Sequence, residues 1–440
     1  MNAILDYALL QYRNPYKYFF MLMMILWSAK TTELLKIAPD NMVMTCVYLI
    51  IIVFYYQKYC RKGCLKPLYI ILGIFALWYS AICIKYGGVQ TIYFGILIST
   101  VIAYIAFNLF KQYEFFIYAE KVLVHLCILS LIVWGGYVIM PSLIGEVMDS
   151  VSVVDNAATM RANIFVVGIG NQTVEGLMIK RNIGFTWEAG RFSCFLVFAM
   201  FLNLSLHNMS LSWRKNRSFY ILMAGLVSTL STTGIIASFS LVLYYVYNKS
   251  TAYRVTMIIA GCLLIPVVWG MSFMGGKLVS LMDYEQEIRD MQWMFDRGVE
   301  SITPQRITGA YLELQNFLND FWLGYNVNEN AFSMSALFDG KEVWLANGVI
   351  QIFSMYGVFM GLFFYGLLIK SSALIIKVFN KKGTILFALI FLLLSISYEF
   401  WTSSVFLYCV YYALFNHYMP NYGVVYTCLL YTSPSPRDCS

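Results

Sequence analysis

The chain has 440 residues, is 60% hydrophobic and only 12% charged, and carries a net charge of +7. A soluble domain is about 25% charged, so this composition excludes a soluble globular protein and a disordered one and indicates an integral membrane protein. The net charge gains meaning only when it is divided between the two sides of a membrane, and nothing in it calls for a nucleic-acid partner.

The first apolar run, Tyr18–Ala29, has no small-residue cleavage site behind it and reads as a short first span rather than a signal peptide. Further runs give a series at about 17–30, 41–57, 68–84, 90–110, 121–140, 192–206, 218–231, 233–247, 254–274, 344–369, 383–398 and 401–417. These are about twelve transmembrane candidates, several of them shorter than the roughly 20 residues a bilayer core asks for. The expected fold is an all-α polytopic membrane protein. Between the runs 218–231 and 233–247 stands Ser231–Gly234, STTG. That sequence fits a tight turn in a helical hairpin and equally a kink in one long helix.

The distribution of Lys and Arg sets the orientation. With a cytoplasmic N-terminus, the inner segments sum to +14 and the outer ones to −7, which together give the chain's +7. Both termini are then cytoplasmic, and two large loops, about 141–191 and 275–343, are periplasmic. The second reads as short amphipathic helices, for example Gln305–Phe321, where Ile307, Leu312, Leu314, Phe317, Leu318 and Phe321 partly recur at helical spacing. No cysteine falls in an outer loop, so no disulfide is expected, and a bacterial inner membrane suits the chain. No histidine lies there either, and no metal-ligand spacing is visible, so no metal and no cofactor are expected. The end, Thr427–Ser440 (TCLLYTSPSPRDCS), resembles a translated sequencing-adaptor read-through, which leaves residues 1–426 as a single transmembrane domain.

One stretch concentrates chemistry: Lys180–Phe192, KRNIGFTWEAGRF, directly before the apolar run Ser193–Leu206. It sets Lys180, Arg181 and Arg191 beside Glu188 and Trp187 at the mouth of a membrane helix, whose unpaired N–H groups favour an anion. Arginine offers a planar fork that matches phosphate oxygens. Glu188 and Arg191 can be read as general base and phosphate clamp. They can also be read as a carboxylate on the helix macrodipole and an interfacial arginine. Arg306, alone in an apolar-patterned outer stretch, reads on its own as one more solvated charge. Every tryptophan except Trp213 lies on the outer side. An interfacial aromatic belt accounts for most of them, with sugar stacking open to Trp187, Trp293 or Trp322. Gly357-x-x-x-Gly361 reads as a helix-packing motif. No chain of buried carboxylates crosses the membrane, which argues against an ion-coupled transporter.

RNIGFTWEAGRFSCFLVFAMFLNL resembles the arginine-glycine, Trp-Glu-Pro-Gly segment of bacterial O-antigen polymerases of the Wzy type, with Ala189 where that pattern often has proline. LSTTGIIASF (Leu230–Phe239) is similar to that family's Ser-Thr-Thr-Gly signature. Arg306, LGYN (Leu323–Asn326), ANG (Ala346–Gly348) and MYG (Met355–Gly357) follow in the order of its second outer loop. The resemblance covers about residues 160–370 and implies a GT-C-like glycosyltransferase. It implies an undecaprenyl-diphosphate-linked oligosaccharide as donor, and a flippase and a chain-length regulator as partners alongside membrane lipids. It gives Glu188, Arg191 and Arg306 as catalytic residues, with Arg161, Lys180, Arg181, Trp187 and Asn326 binding substrate. The related O-antigen ligases use a histidine in the second outer loop, and this chain has none there, so a polymerase is expected. A ligase acting on lipid A–core and a flippase or transporter of lipid-linked sugars are the alternatives.

Overall fold

The computed structural model describes residues 14–29, 49–60, 64–87, 94–110, 113–151, 160–164, 166–173, 179–249, 283–302, 304–324, 338, 342–343, 345, 347–396 and 398–419. The run expected at 254–274, the first part of the one at 41–57, Asn326 and the tail 427–440 lie outside them. The described chain is mostly helical. Its helices are α1 (Pro15–Ala29), α2 (Lys66–Tyr86), α3 (Phe94–Leu109), α4 (Glu114–Ile139), α5 (Pro141–Val151), α6 (Ala189–Leu206), α7 (Arg217–Ser228), α8 (Thr232–Tyr247), α9 (Tyr284–Asp296), α10 (Arg306–Asn319), α11 (Gly348–Val378), α12 (Thr384–Ser395) and α13 (Ser404–Tyr418). Among the described residues α2, α4, α6 and α11 are long and apolar enough to cross a membrane, and α7, α8 and α12 are shorter apolar helices. The protein is therefore membrane-embedded.

The bundle is built around α6. A helix that is apolar on every face must be surrounded, and every residue from Ala189 to Ser205 is buried. Helices α4, α7 and α8 pack against it, and the rings of Phe195, Phe198 and Phe201 meet Phe406, Phe391 and Phe387 from α13 and α12. At 1.5 Å per residue its 18 residues span about 27 Å, close to the thickness of a bilayer core.

The stretch around STTG is a hairpin. Helices α7 and α8 are separated by Thr229–Ser231, with Leu230 at φ +48°. Asn216, just before α7, donates to Asn203 near the end of α6 at 2.7 Å, and Lys249, just after α8, donates to Met209 at 3.0 Å. Both outer ends of the pair thus sit at the C-terminal end of α6, while the turn lies at its N-terminal end. Ser231 caps α8 by accepting from the Gly234 amide, the role that favours serine before a helix. A Cβ on Gly234 would lie 2.5 Å from Cβ of Ser193, so only glycine lets α8 approach α6 this closely.

The first large loop contains α5 and strands that the apolar pattern did not anticipate: β1 (Met160–Ile164), β2 (Val167–Thr173) and β3 (Lys180–Gly184), an antiparallel sheet in the order β1-β2-β3. The second large loop contains α9 and α10, the latter within the stretch expected to be helical, and a short parallel pair, β4 (Ser301–Ile302) with β5 (Glu342–Val343). Met291, Phe295, Leu312 and Phe338 form its small apolar core. The loop locks onto α11 where that helix kinks at Gly357, φ +76°. A Cβ there would lie 2.2 Å from the carbonyl oxygen of Trp322, and Val358 N donates to Phe321 O at 2.9 Å. The LGYN and MYG motifs therefore meet backbone to backbone through Gly324 and Gly357. Gly361 packs against Phe353, so this glycine pair serves close packing.

Candidate functional site

The turn from β3 into α6 positions the central residues. Gly184 adopts φ +56°, and a Cβ on it would lie 2.5 Å from the Phe192 ring, so the reversal requires glycine. Phe185 packs edge-on against Phe192 and Phe195 beneath the turn. The Thr186 hydroxyl lies 2.8 Å from the carbonyl oxygens of Ile183 and Glu188. Glu188 is left in extended conformation as the residue capping α6. Its side chain is not spent on the cap and projects toward the second loop.

There it meets Arg306. Nη2 of Arg306 donates to Oε1 of Glu188 at 2.7 Å, while Arg191 Nε lies 4.0 Å from Oε2. Arg306 is the first residue of α10, and bonds at and beside it hold that helix start in place. Its carbonyl accepts from Asn347 Nδ2 at 3.1 Å, and the Glu287 carboxylate accepts from the Gln305 amide at 2.6 Å and from the Thr308 hydroxyl. Asn347 also caps α11 through its Oδ1. The ANG motif thus ties the start of α11 to the residue that touches Glu188. A Cβ on Gly348 would lie 2.6 Å from the carbonyl oxygens of Ser395 and Tyr398, which forces that loop close as well.

Arg191 is buried between two rings, its guanidinium carbon 4.3 Å from the Trp187 ring centre and 5.1 Å from that of Tyr398. Among the described residues, its Nε and Nη1, and Trp187 Nε1, are buried with no hydrogen-bond partner. Buried donors are almost always paired, and a guanidinium without acceptors is costly. Arg181, on β3, donates from Nε to Thr229 O at 3.0 Å and from Nη2 to Leu230 O at 3.2 Å, the carbonyls of the turn before STTG. Burial lowers its pKa from the ordinary guanidinium value; Glu188 opposes that shift and Arg306 adds to it. A guanidinium is not deprotonated in proteins, so it stays charged. Arg191 and Arg306 therefore flank one carboxylate at the N-terminus of the central helix, and Arg181 lies near enough to feel its charge.

Compared with family models, with curated proteins and with solved structures, the chain matches none. The geometry itself must carry the functional reading. Of the residues singled out in the sequence, Glu188, Arg191, Arg306, Arg181 and Trp187 come together. Lys180 is in β3, half-buried, with its carbonyl accepting from Trp134 at 2.8 Å. Arg161 lies in β1 of the same sheet, and Asn326 lies outside the described residues. Trp293 stacks on Arg297 and Trp322 on Phe359, both away from Glu188 in their contacts. Among the described residues no three His, Cys, Asp or Glu side chains gather to hold a metal ion.

Sequence reading missed Glu313. It lies seven residues after Arg306 on the same face of α10, is buried, and accepts from the Ser354 hydroxyl of α11. Burial pushes its carboxyl up to about 8; the Ser354 bond opposes this and the charge of Glu399 adds to it. The signal available was the i, i+7 spacing from Arg306.

Proposed function

We propose that this chain is a membrane glycosyltransferase that polymerises oligosaccharide repeat units carried on undecaprenyl diphosphate, at the periplasmic face of a bacterial inner membrane. The observation that carries the reading is Arg191. It is a buried guanidinium with two nitrogens that find no acceptor among the described residues, and it stands beside the Glu188–Arg306 pair at a helix N-terminus. A lipid diphosphate supplies the acceptor oxygens that such an arrangement calls for. The four sequence segments that resemble the Wzy family also fall at this locus or at its supports: the β3–α6 turn, the STTG cap, the ANG cap and the Gly324–Gly357 contact.

The chemistry follows. An acceptor hydroxyl attacks the anomeric carbon of the donor sugar and a new C–O bond forms. The bond to the diphosphate breaks, and its electron pair leaves with the lipid diphosphate. Arg191 and Arg306 offset the charge that builds on that leaving group. The hydroxyl proton passes to a carboxylate, for which Glu188 is suited: it keeps 35% of its side-chain surface exposed while Arg306 fixes its orientation. The donor bond supplies the driving force. The absence of a histidine from residues 275–343 favours polymerase over ligase.

Binding tests the site. Purified protein in nanodiscs is titrated with undecaprenyl diphosphate and, in parallel, with undecaprenol. The diphosphate should bind far more tightly, and Arg191→Gln should weaken it at least about tenfold, the loss expected for one charge-assisted contact. Equal affinity for the two lipids would remove the reading.

A further inference from the structure

A second polar site lies at the opposite end of the bundle, about 27 Å away along α6. Three helices end together there. The turn after α6 (Asn208, Met209), the end of α8 (Tyr247, Asn248, Lys249) and the turn after α11 (Asn380, Lys381, Lys382) line an open pocket of about 260 Å³. The three segments are knitted by their own bonds. Lys382 N donates to Asn248 Oδ1 at 2.9 Å, and Asn248 Nδ2 donates to Lys382 O at 3.1 Å. Lys381 Nζ donates to Asn208 Oδ1 at 3.1 Å, and Lys249 Nζ to Met209 O at 3.0 Å.

Two features of this pocket exceed what closing helix ends requires. First, among the described residues its lining holds three lysines and no carboxylate. Burial lowers the Lys381 pKa from its ordinary value, and the charge of Lys249 lowers it further. Such crowding of like charge favours the entry of an anion. Second, Asn208, Met209 and Asn380 adopt φ of +52°, +56° and +51°, three of the four left-handed non-glycine residues among those described. For methionine that conformation is uncommon, and strain of this kind gathers at ligand sites.

We infer that this pocket binds a phosphate group, the chemistry shared by an anionic phospholipid headgroup and free inorganic phosphate. It lies on the side that the Lys and Arg distribution assigns to the cytoplasm, where anionic headgroups attract basic pockets between helices. A bound phosphate bridges Lys249, Lys381 and Lys382, and so ties the ends of α8 and α11 to that of α6. The inference is independent of the reaction proposed at the other end.

The test uses the purified full chain in a neutral detergent, with the unfolding midpoint followed during three titrations: short-chain phosphatidylglycerol, short-chain phosphatidylcholine and sodium phosphate. Phosphatidylglycerol should raise the midpoint saturably and phosphatidylcholine should not. Saturation by sodium phosphate at comparable concentration assigns the site to free phosphate instead of lipid, within the same chemistry. Lys382→Gln, which alters a residue that holds the turn through its backbone, should weaken the effective ligand about fivefold, as expected for one lysine near a phosphate. Lys215→Gln removes an equal charge from an exposed position outside the pocket and should leave the titration unchanged. No saturable shift with either phosphate ligand, or equal weakening by Lys215→Gln and Lys382→Gln, would overturn the inference.

Discussion

The contact between Glu188 and Arg306 joins the two large loops, and a double-mutant cycle measures it directly. The two are joined by one bond, Nη2 to Oε1 at 2.7 Å, and their side chains are 35% and 23% exposed. A fully exposed ion pair contributes about 0–1 kcal/mol, and a charge-assisted hydrogen bond away from water about 1.5–3 kcal/mol. Partial exposure places this pair between, at about 1–2 kcal/mol of coupling. Glu188→Gln, Arg306→Gln and the double variant should be unfolded by denaturant in mild detergent. Each single variant still leaves supports standing, because α10 is also held by Glu287 and Asn347 and Arg191 remains near Glu188. The fold should therefore survive all three changes. Losses that add to within about 0.5 kcal/mol would mean that the two residues do not interact, and the site would lose the link between its loops.

Other expectations follow from single positions. Gly234→Ala drives a methyl into Ser193, 2.5 Å from its Cβ; it should cost about 1–3 kcal/mol by overpacking and lower polymer yield, because the displaced turn carries the carbonyls that hold Arg181. Glu313, with its folded pKa raised by burial to about 8 from the ordinary 4.5 of a glutamate, binds its proton more tightly in the folded state. Stability should be full below about 4.5, fall by at most about 1.4 kcal/mol per pH unit as pH rises toward about 8, and level off above it. Glu313→Gln should flatten that slope in unfolding midpoints measured across the range, and an unchanged slope would place the titration elsewhere. For orientation, exposed Cys64 should react with a membrane-impermeant thiol reagent only after cells are opened, whereas Glu300→Cys should react in intact spheroplasts; the reverse pattern would invert the topology.

Much of the helical framework was legible because apolar runs announce themselves. Even so, α4 begins at Glu114 rather than near residue 121, where the uninterrupted apolar run starts. Its charged first turns are accommodated by partners distant in sequence, Lys17 for Glu114 and Asn203 for Glu120. The hairpin at STTG could not be separated from a kink by composition, since the deciding contacts, Asn216 to Asn203 and Lys249 to Met209, are tertiary. The β-sheet escaped notice because its strands are short, two of them carry glycine, and they pair with bulges, so no alternating pattern survives. At the site, Glu188, Arg191 and Arg306 were visible as residue types, and their meeting was suggested only by resemblance. The pairing depends on Asn347, Glu287 and the Gly324–Gly357 contact, which place α10 over the mouth of α6. Glu313 stands between Leu312 and Leu314, and nothing in the local sequence marks that packing against α11 buries it.

Turnover by purified protein in proteoliposomes tests the central claim most directly. A defined undecaprenyl-diphosphate-linked repeat unit is supplied at the face bearing the two large loops, and both glycan length and free undecaprenyl diphosphate are measured. The account predicts one undecaprenyl diphosphate released for each repeat added. It also predicts that Glu188→Gln binds the donor but turns over about 10²-fold more slowly, the contribution of a positioned acid–base group. A wild-type protein that binds the donor yet releases no undecaprenyl diphosphate and lengthens no glycan would contradict it.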